Sequence, residues 1–213
     1  MHRLSDLFQR LARDVYPARN GLVEVMGSPP GKADAVVAFT QHHVIACDLD
    51  PDTIRRRLDP EDPDAPMAAP FLTWLGEQLG SRPGVAKVVL VAKGTGQGSD
   101  ILQRRDDLAG HMRVVDEIMG RDDVELYTDK YGQSVLVLGS GLAGRRELSV
   151  QIPASQRRAL TGRRLVRSAI GLTPAGLPLF AQVEAGNAAS LRSFYNAGFR
   201  PIGAEVLFPK AGA

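Results

Sequence analysis

The sequence predicts an α/β fold, an α+β mixed sheet with helices on its faces. Three observations carry this. Apolar spacing after residue 105 gives the order helix, three strands, helix, strand, helix, strand. Asp129-Lys130-Tyr131-Gly132, between two apolar runs, is a hairpin signal, so the run of strands starts antiparallel. Strand–helix–strand crossovers follow, and these make the sheet mixed.

The N-terminal stretch MHRLSDLFQRLARDV places Leu4, Leu7, Phe8 and Leu11 on one helical face, an amphipathic helix and not a signal peptide. Tyr16-Pro17 and Asn20-Gly21 punctuate the chain after it. Leu22–Met26 reads as a short strand, GSPPGKAD as a turn and Ala35–Cys47 as a longer strand, together a β-hairpin. Asp50-Pro51 starts a short helix over Asp52–Leu58, with proline at the first helical position. DPEDPDAP is a loop by composition, and Pro70 opens a helix that runs to Leu79. Lys87–Ala92 (KVVLVA) is a continuous apolar strand of the buried type.

Lys93–Asp100, KGTGQGSD, comes next. Gly94, Gly96 and Gly98 fit neither the dinucleotide fingerprint nor the P-loop, and the stretch reads as a flexible linker. The domain boundary falls there, between an N-terminal α/β region, 1–98, and a second domain, 99–213. Beyond it Asp106–Met119 is helical, with Leu108, Met112, Val115 and Met119 on one stripe. Val124–Thr128 and Ser134–Leu138 are strands, and Gly139–Gly144 is a turn. Glu147–Ile152 is a strand closed by Pro153, which cannot donate to a ladder. From Arg157 onward, Leu160, Leu165, Val166, Ala169 and Ile170 fall at helical spacing. Leu179–Val183 is a strand, Ala188–Ala197 a helix ended by Gly198, and Ile202–Phe208 the last strand.

Composition bounds the function. A chain of 213 residues with 44% hydrophobic and 23% charged residues has ordinary globular proportions. A net charge of +2 is too small to announce nucleic acid as a partner. No apolar run reaches bilayer length, so no membrane partner is expected. Cys47 is the only cysteine, which rules out a disulfide framework and a cysteine metal cluster. The expected location is cytoplasmic. His42-His43 does not suggest a metal site, because neighbours on a strand point to opposite faces; one buried and one exposed histidine is the expectation.

Charge is uneven along the chain. Arg145–Arg167 holds seven arginines against one glutamate. A helix start carries unpaired N–H groups and partial positive charge, so Arg157, Arg158, Arg163, Arg164 and Arg167 around one would suit a polyphosphate. The other reading is an arginine-rich solvated helix face.

Two motifs in this order resemble those of the GNAT N-acetyltransferase superfamily. Arg157-Arg158-Ala159-Leu160-Thr161-Gly162 matches the superfamily's pyrophosphate loop, Gln/Arg-x-x-Gly-x-Gly/Ala, at its first and last fixed positions, with Leu160 where the middle glycine is expected. Asn187 opens a helix that ends in Gly198-Phe199, and Pro201-Ile202-Gly203 leads into the final strand. The resemblance covers about residues 105–208 and implies a GNAT-like acyltransferase fold.

It also implies a chemistry: acyl-coenzyme A, acetyl-CoA by default, as cosubstrate, an amine as acceptor, direct transfer between them and no metal. Backbone N–H groups of Arg158 to Arg163 would cradle the pyrophosphate, with Arg157, Arg158 and Arg163 near the phosphates and Leu160 and Thr161 on the loop. Gly162 would permit close approach of the ligand. The strands Glu147–Ile152 and Leu179–Val183 would splay, and Val150 and Ile152 would bond the pantetheine arm. Asn187 and Ser190 are cofactor contacts or cap residues. Glu147 is the candidate base, or else an edge carboxylate paired with Arg145 or Arg146. Many relatives carry the proton donor four residues before the glycine of Gly-Phe. Phe194 stands there, and Tyr195, one residue later, is the candidate acid. The N-terminal region either covers the acceptor side or is a diverged copy of the fold, and a homodimer stays open. Rival readings are a non-catalytic coenzyme A-binding module and an interaction protein.

Overall fold

The computed structural model describes residues 2–108, 120–153, 155 and 159–210, the side chains of 159–161 excepted. Helix α1 (Arg3–Leu11) precedes strands β1 (Leu22–Met26), β2 (Ala33–Phe39) and β3 (His42–Ala46). Helices α2 (Pro51–Arg57) and α3 (Ala69–Leu79) lead to β4 (Lys87–Lys93) and a short β5 (Leu102–Arg104). Then come β6 (Asp122–Asp129), β7 (Val135–Ser140), β8 (Arg146–Gln151), α4 (Ala159–Leu172), β9 (Pro178–Glu184), α5 (Ala188–Ala197) and β10 (Arg200–Pro209). The ten strands form one mixed sheet in the order β1-β3-β2-β10-β4-β9-β8-β7-β6-β5. Only β1–β3 and β8–β9 pair in parallel.

Both faces of the sheet are covered. The four residues of the α1 stripe, Leu4, Leu7, Phe8 and Leu11, are buried against Val37, Val89, Val91 and Phe180 on one face. Burying a side chain of that size is worth roughly 1.5–3 kcal/mol, which holds a nine-residue helix that would not persist alone. On the other face α2 and α3 cover Val36, Ile45, Val206 and Phe208, while α4 and α5 cover Leu90, Leu138, Leu148 and Ala181. Asp50 caps α2 by accepting from the Thr53 amide, with proline in the first turn as expected.

Four expectations differ from this arrangement. The long strand over Ala35–Cys47 is instead the β2–β3 hairpin, turning at Thr40-Gln41 with Gln41 at φ 54°. β1 does not pair with β2; it lies parallel to β3 at the sheet edge. His42 and His43 are both buried, because each face at β3 is roofed. The fourth difference concerns the boundary at 98. Strand β4, from the first region, lies between β10 and β9 of the second. β10 in turn pairs with β2. The two regions therefore interleave in one sheet.

The glycine-rich stretch caps a helix and does not link two bodies. Amides of Thr95, Gly96 and Gly98 donate to the carbonyls of Ile170, Thr173 and Gly171 at 3.0, 2.9 and 2.9 Å. These carbonyls belong to the last turn of α4 and the residue after it, where intrahelical donors run out. A Cβ on Gly94 would stand 2.6 Å from the Thr173 carbonyl oxygen, which explains why glycine is needed there. The expected helix from Asp106 begins as a 3₁₀ turn at Asp106–Leu108; the rest of it lies outside the described residues.

Candidate functional site

Strands β8 and β9 pair at only two positions, Glu147 with Phe180 and Leu148 with Ala181. Both strands continue three residues further, Ser149–Gln151 on β8 and Gln182–Glu184 on β9, without a ladder between them. On its other side β8 stays paired with β7 to the end. Alternate backbone groups of β8 therefore turn toward a gap in the sheet, and such groups require partners. Val150, one of the expected pantetheine contacts, stands in this unpaired stretch, and Ile152 follows its end.

Helix α4 begins at Ala159, after β8 has ended at Gln151, and its first turn lies against Ile152 at the open end of the gap. Arg157 and Arg158 lie outside the described residues, as do the side chains of Leu160 and Thr161. Arg163 is half-buried, and its Nε is sealed from solvent with no hydrogen-bond partner among the described residues. Gly162 serves packing: a Cβ there would meet Ser193 Oγ at 3.1 Å and Ile152 Cδ1 at 3.4 Å. Its lack of a side chain lets α4 approach α5 and Ile152.

Below the gap, on the α1 face, sits a buried polar network. Arg145 reaches Glu205 of β10 with two bonds, Nη1 to Oε2 at 2.8 Å and Nη2 to Oε1 at 2.6 Å, and Glu147 Oε1 through Nε at 2.7 Å. Arg121 donates from Nε to Glu147 Oε2 at 3.2 Å and from Nη2 to Ser149 Oγ at 2.8 Å. Gln182 Nε2 donates to both carboxylates, at 2.9 Å to Glu147 and 2.7 Å to Glu205. The Arg145 guanidinium lies 4.4 Å from the centre of the Phe8 ring, which closes the network from the α1 side. Burial opposes the charge on Arg145, but Glu205 and Glu147 outweigh it and raise the guanidinium pKa.

Glu147 is thus 3% exposed and held by Arg145, Arg121, Gln182 and the Leu142 amide. The pairing with Arg145 expected from sequence is present, inside the sheet and not at an edge. Arg146 points the other way and pairs with Glu125 at 2.8 Å. Sequence reasoning passed over Arg121, Gln182 and Glu205. The available signal was a charge at Glu205 inside an otherwise apolar strand, since such charges are buried only when paired.

On α5 Asn187 acts as the helix cap, its Oδ1 accepting from the Ser190 amide at 3.1 Å. Phe194 turns inward and meets Phe199 edge-on at 5.0 Å. Tyr195 is 42% exposed on the solvent side of the helix. Among the described residues no group of three His, Cys, Asp or Glu side chains is placed to hold a metal ion. None of the described helices is long and apolar enough to cross a membrane.

No protein-family model matches this chain, and no curated protein does. Solved structures do. A protein described as a GNAT-family acetyltransferase from Novosphingobium aromaticivorans is 16% identical over 61% of this chain and 66% of its own, with a TM-score of 0.45. A GCN5-related N-acetyltransferase from Sphaerobacter thermophilus is 17% identical over 67% of this chain and 56% of its own, with a TM-score of 0.42. Another, from Kribbella flavida, covers 99% of this chain and 95% of its own at 13% identity and a TM-score of 0.39. This chain therefore spans less than two thirds of the length of the first two. Likeness at this level assigns no activity.

Proposed function

We propose that this chain is an acyl-coenzyme A-dependent N-acyltransferase that moves an acetyl group from acetyl-CoA to an amine. The observation that carries the reading is the parallel β8–β9 pair that stops after Leu148 and Ala181, with α4 starting from the open end. A gap of this kind offers unpaired main-chain groups to an extended arm of amide character, as pantetheine is. The amides at the start of α4 suit the diphosphate at the end of that arm. The orphaned Nε of Arg163 fits an anionic ligand, because a buried guanidinium nitrogen without an acceptor is costly. Bound there, acetyl-CoA supplies an activated acyl carbon.

The chain's own residues have limited tasks in the transfer. Val150, in the stretch of β8 that β9 does not pair, holds the arm. Both oxygens of Glu147 are taken up by Arg145, Arg121, Gln182 and the Leu142 amide, which leaves no position on the carboxylate for the amine. The amine's proton accordingly passes to water, and Glu147 keeps the strand end rigid.

Calorimetric titration with acetyl-CoA tests the reading, with Arg163→Glu as the variant. Wild type is expected to bind with micromolar affinity and the variant at least about tenfold more weakly. Equal affinity, or no binding by wild type, sinks it.

A second reading, coenzyme A binding without turnover, is favoured by Phe194 facing inward where Tyr195 does not. A thiol-release assay on an amine panel separates the two. A general acid contributes on the order of 10² or more, so a loss of that size in Tyr195→Phe would return Tyr195 to the chemistry.

A further inference from the structure

The side-chain amide of Gln182 has a fixed orientation. Both neighbours of its Nε2, Glu147 and Glu205, are carboxylates held by arginine, and an ionised carboxylate only accepts hydrogen bonds. The two N–H groups of Nε2 are therefore spent on them, which forces Oε1 to the other side. That oxygen accepts no hydrogen bond among the described residues, and it is not one of the atoms sealed from solvent without a partner. Gln182 is half-buried and is the first residue of β9 beyond the last β8–β9 pair, Leu148 with Ala181. Ser149, its counterpart on β8, is held by Arg121.

We infer that Gln182 is the acceptor-recognition residue: its Oε1, locked in place at the open end of the β8–β9 gap, accepts an N–H from the amine that is to be acylated. The inference rests on the acyltransferase reading and gives it an acceptor class. The four charges beneath Gln182, two arginines and two glutamates, cancel, so this spot offers an acceptor oxygen without a net negative field. The group that fits is an uncharged primary amine. One N–H goes to Gln182, and the nitrogen lone pair remains free. That lone pair forms the C–N bond to the acyl carbon, and the C–S bond breaks with its electrons going to sulfur. The nitrogen gives one proton to water, and the thiolate takes one from water. A tertiary amine lacks the N–H in its neutral form and is rejected.

Two full-length variants test this, Gln182→Met and Gln182→Lys. Lysine retains donors for Glu147 and Glu205 and keeps the network bonded, yet removes the outward oxygen; methionine removes both without adding charge. Acetyl-CoA affinity is measured by calorimetry, and kcat and KM for phenethylamine, tyramine, spermidine and glycine ethyl ester by thiol release. The expected result is unchanged acetyl-CoA affinity in both variants, with kcat/KM for the amines lower by about tenfold or more. Amine kcat/KM equal to wild type overturns the role of Gln182 while leaving the acyltransferase reading intact. Loss of acetyl-CoA affinity in step with amine activity in the lysine variant also overturns it, as the mark of a merely structural residue. So does acetyl-CoA binding by wild type with no acylation of any probe. Absence of acetyl-CoA binding by wild type is instead the failure of the acyltransferase reading itself.

Discussion

Arg145 and Glu205 meet in a two-point contact inside the sheet, although they lie 60 residues apart in sequence and on opposite sides of β9 and β4. The pair bridges β10 to the turn that enters β8. Cutting such a pair on one side leaves a buried charge with no counter-charge. Arg145→Met is expected to destabilise the protein by about 3–5 kcal/mol, read from urea denaturation midpoints. Arg145→Met combined with Glu205→Leu is expected to recover part of that loss, because no carboxylate is then stranded beside β9. A loss below about 1 kcal/mol in the single variant would place the pair among solvated surface bridges.

Gly94 abuts the chain after α4, where an added Cβ would stand 2.6 Å from the Thr173 carbonyl oxygen and 2.7 Å from its Cγ2. Gly94→Ala is expected to cost roughly 1–3 kcal/mol by overpacking. Gly186, which has open space around its missing Cβ, is the control, and Gly186→Ala is expected to stay within about 0.5 kcal/mol. Differential scanning calorimetry on both variants decides the matter. A flexible linker would tolerate either change.

The interleaving of β4 between β9 and β10 makes a prediction about fragments. Residues 99–213 expressed alone lose the partner of two strands and expose β9 and β10 edges along apolar faces. The fragment is expected to be unfolded or aggregated, with no dispersed amide spectrum. Co-expression with residues 1–98 is expected to restore a folded complex.

Burial, reinforced by His42 and opposed by Asp64, lowers the pKa of His43 from its ordinary 6.5. The folded state thus prefers neutral His43, while the unfolded chain takes up a proton at the ordinary value. Stability from this residue is complete above about pH 6.5 and falls as pH drops below it, levelling once the folded-state pKa is passed. Urea melts between about pH 7.5 and 5 check this. His43→Gln is expected to flatten the decline, and an identical slope in the variant would locate acid sensitivity elsewhere.

Much of the molecule was legible from the chain itself, for a local reason. The α1 stripe, the Asp50-Pro51 start of α2, the Asp129–Gly132 hairpin and the Asn187-to-Gly198 helix each encode themselves within a few residues through periodicity, capping or turn chemistry. Strand partners do not. That β1 pairs with β3, that β4 enters the second region's sheet, and that a glycine tract caps α4 depend on contacts between distant segments, which leave no local pattern. The same division runs through the site. Glu147 stood out through the family resemblance, but its partners Arg121 and Gln182 are brought to it from distant segments, and Glu205 joins through Arg145 and Gln182. Residue order determined the elements and the arginine-rich helix start. Only folding determined which charges cancel beneath the β8–β9 gap, because burial and pairing are properties of the assembled sheet.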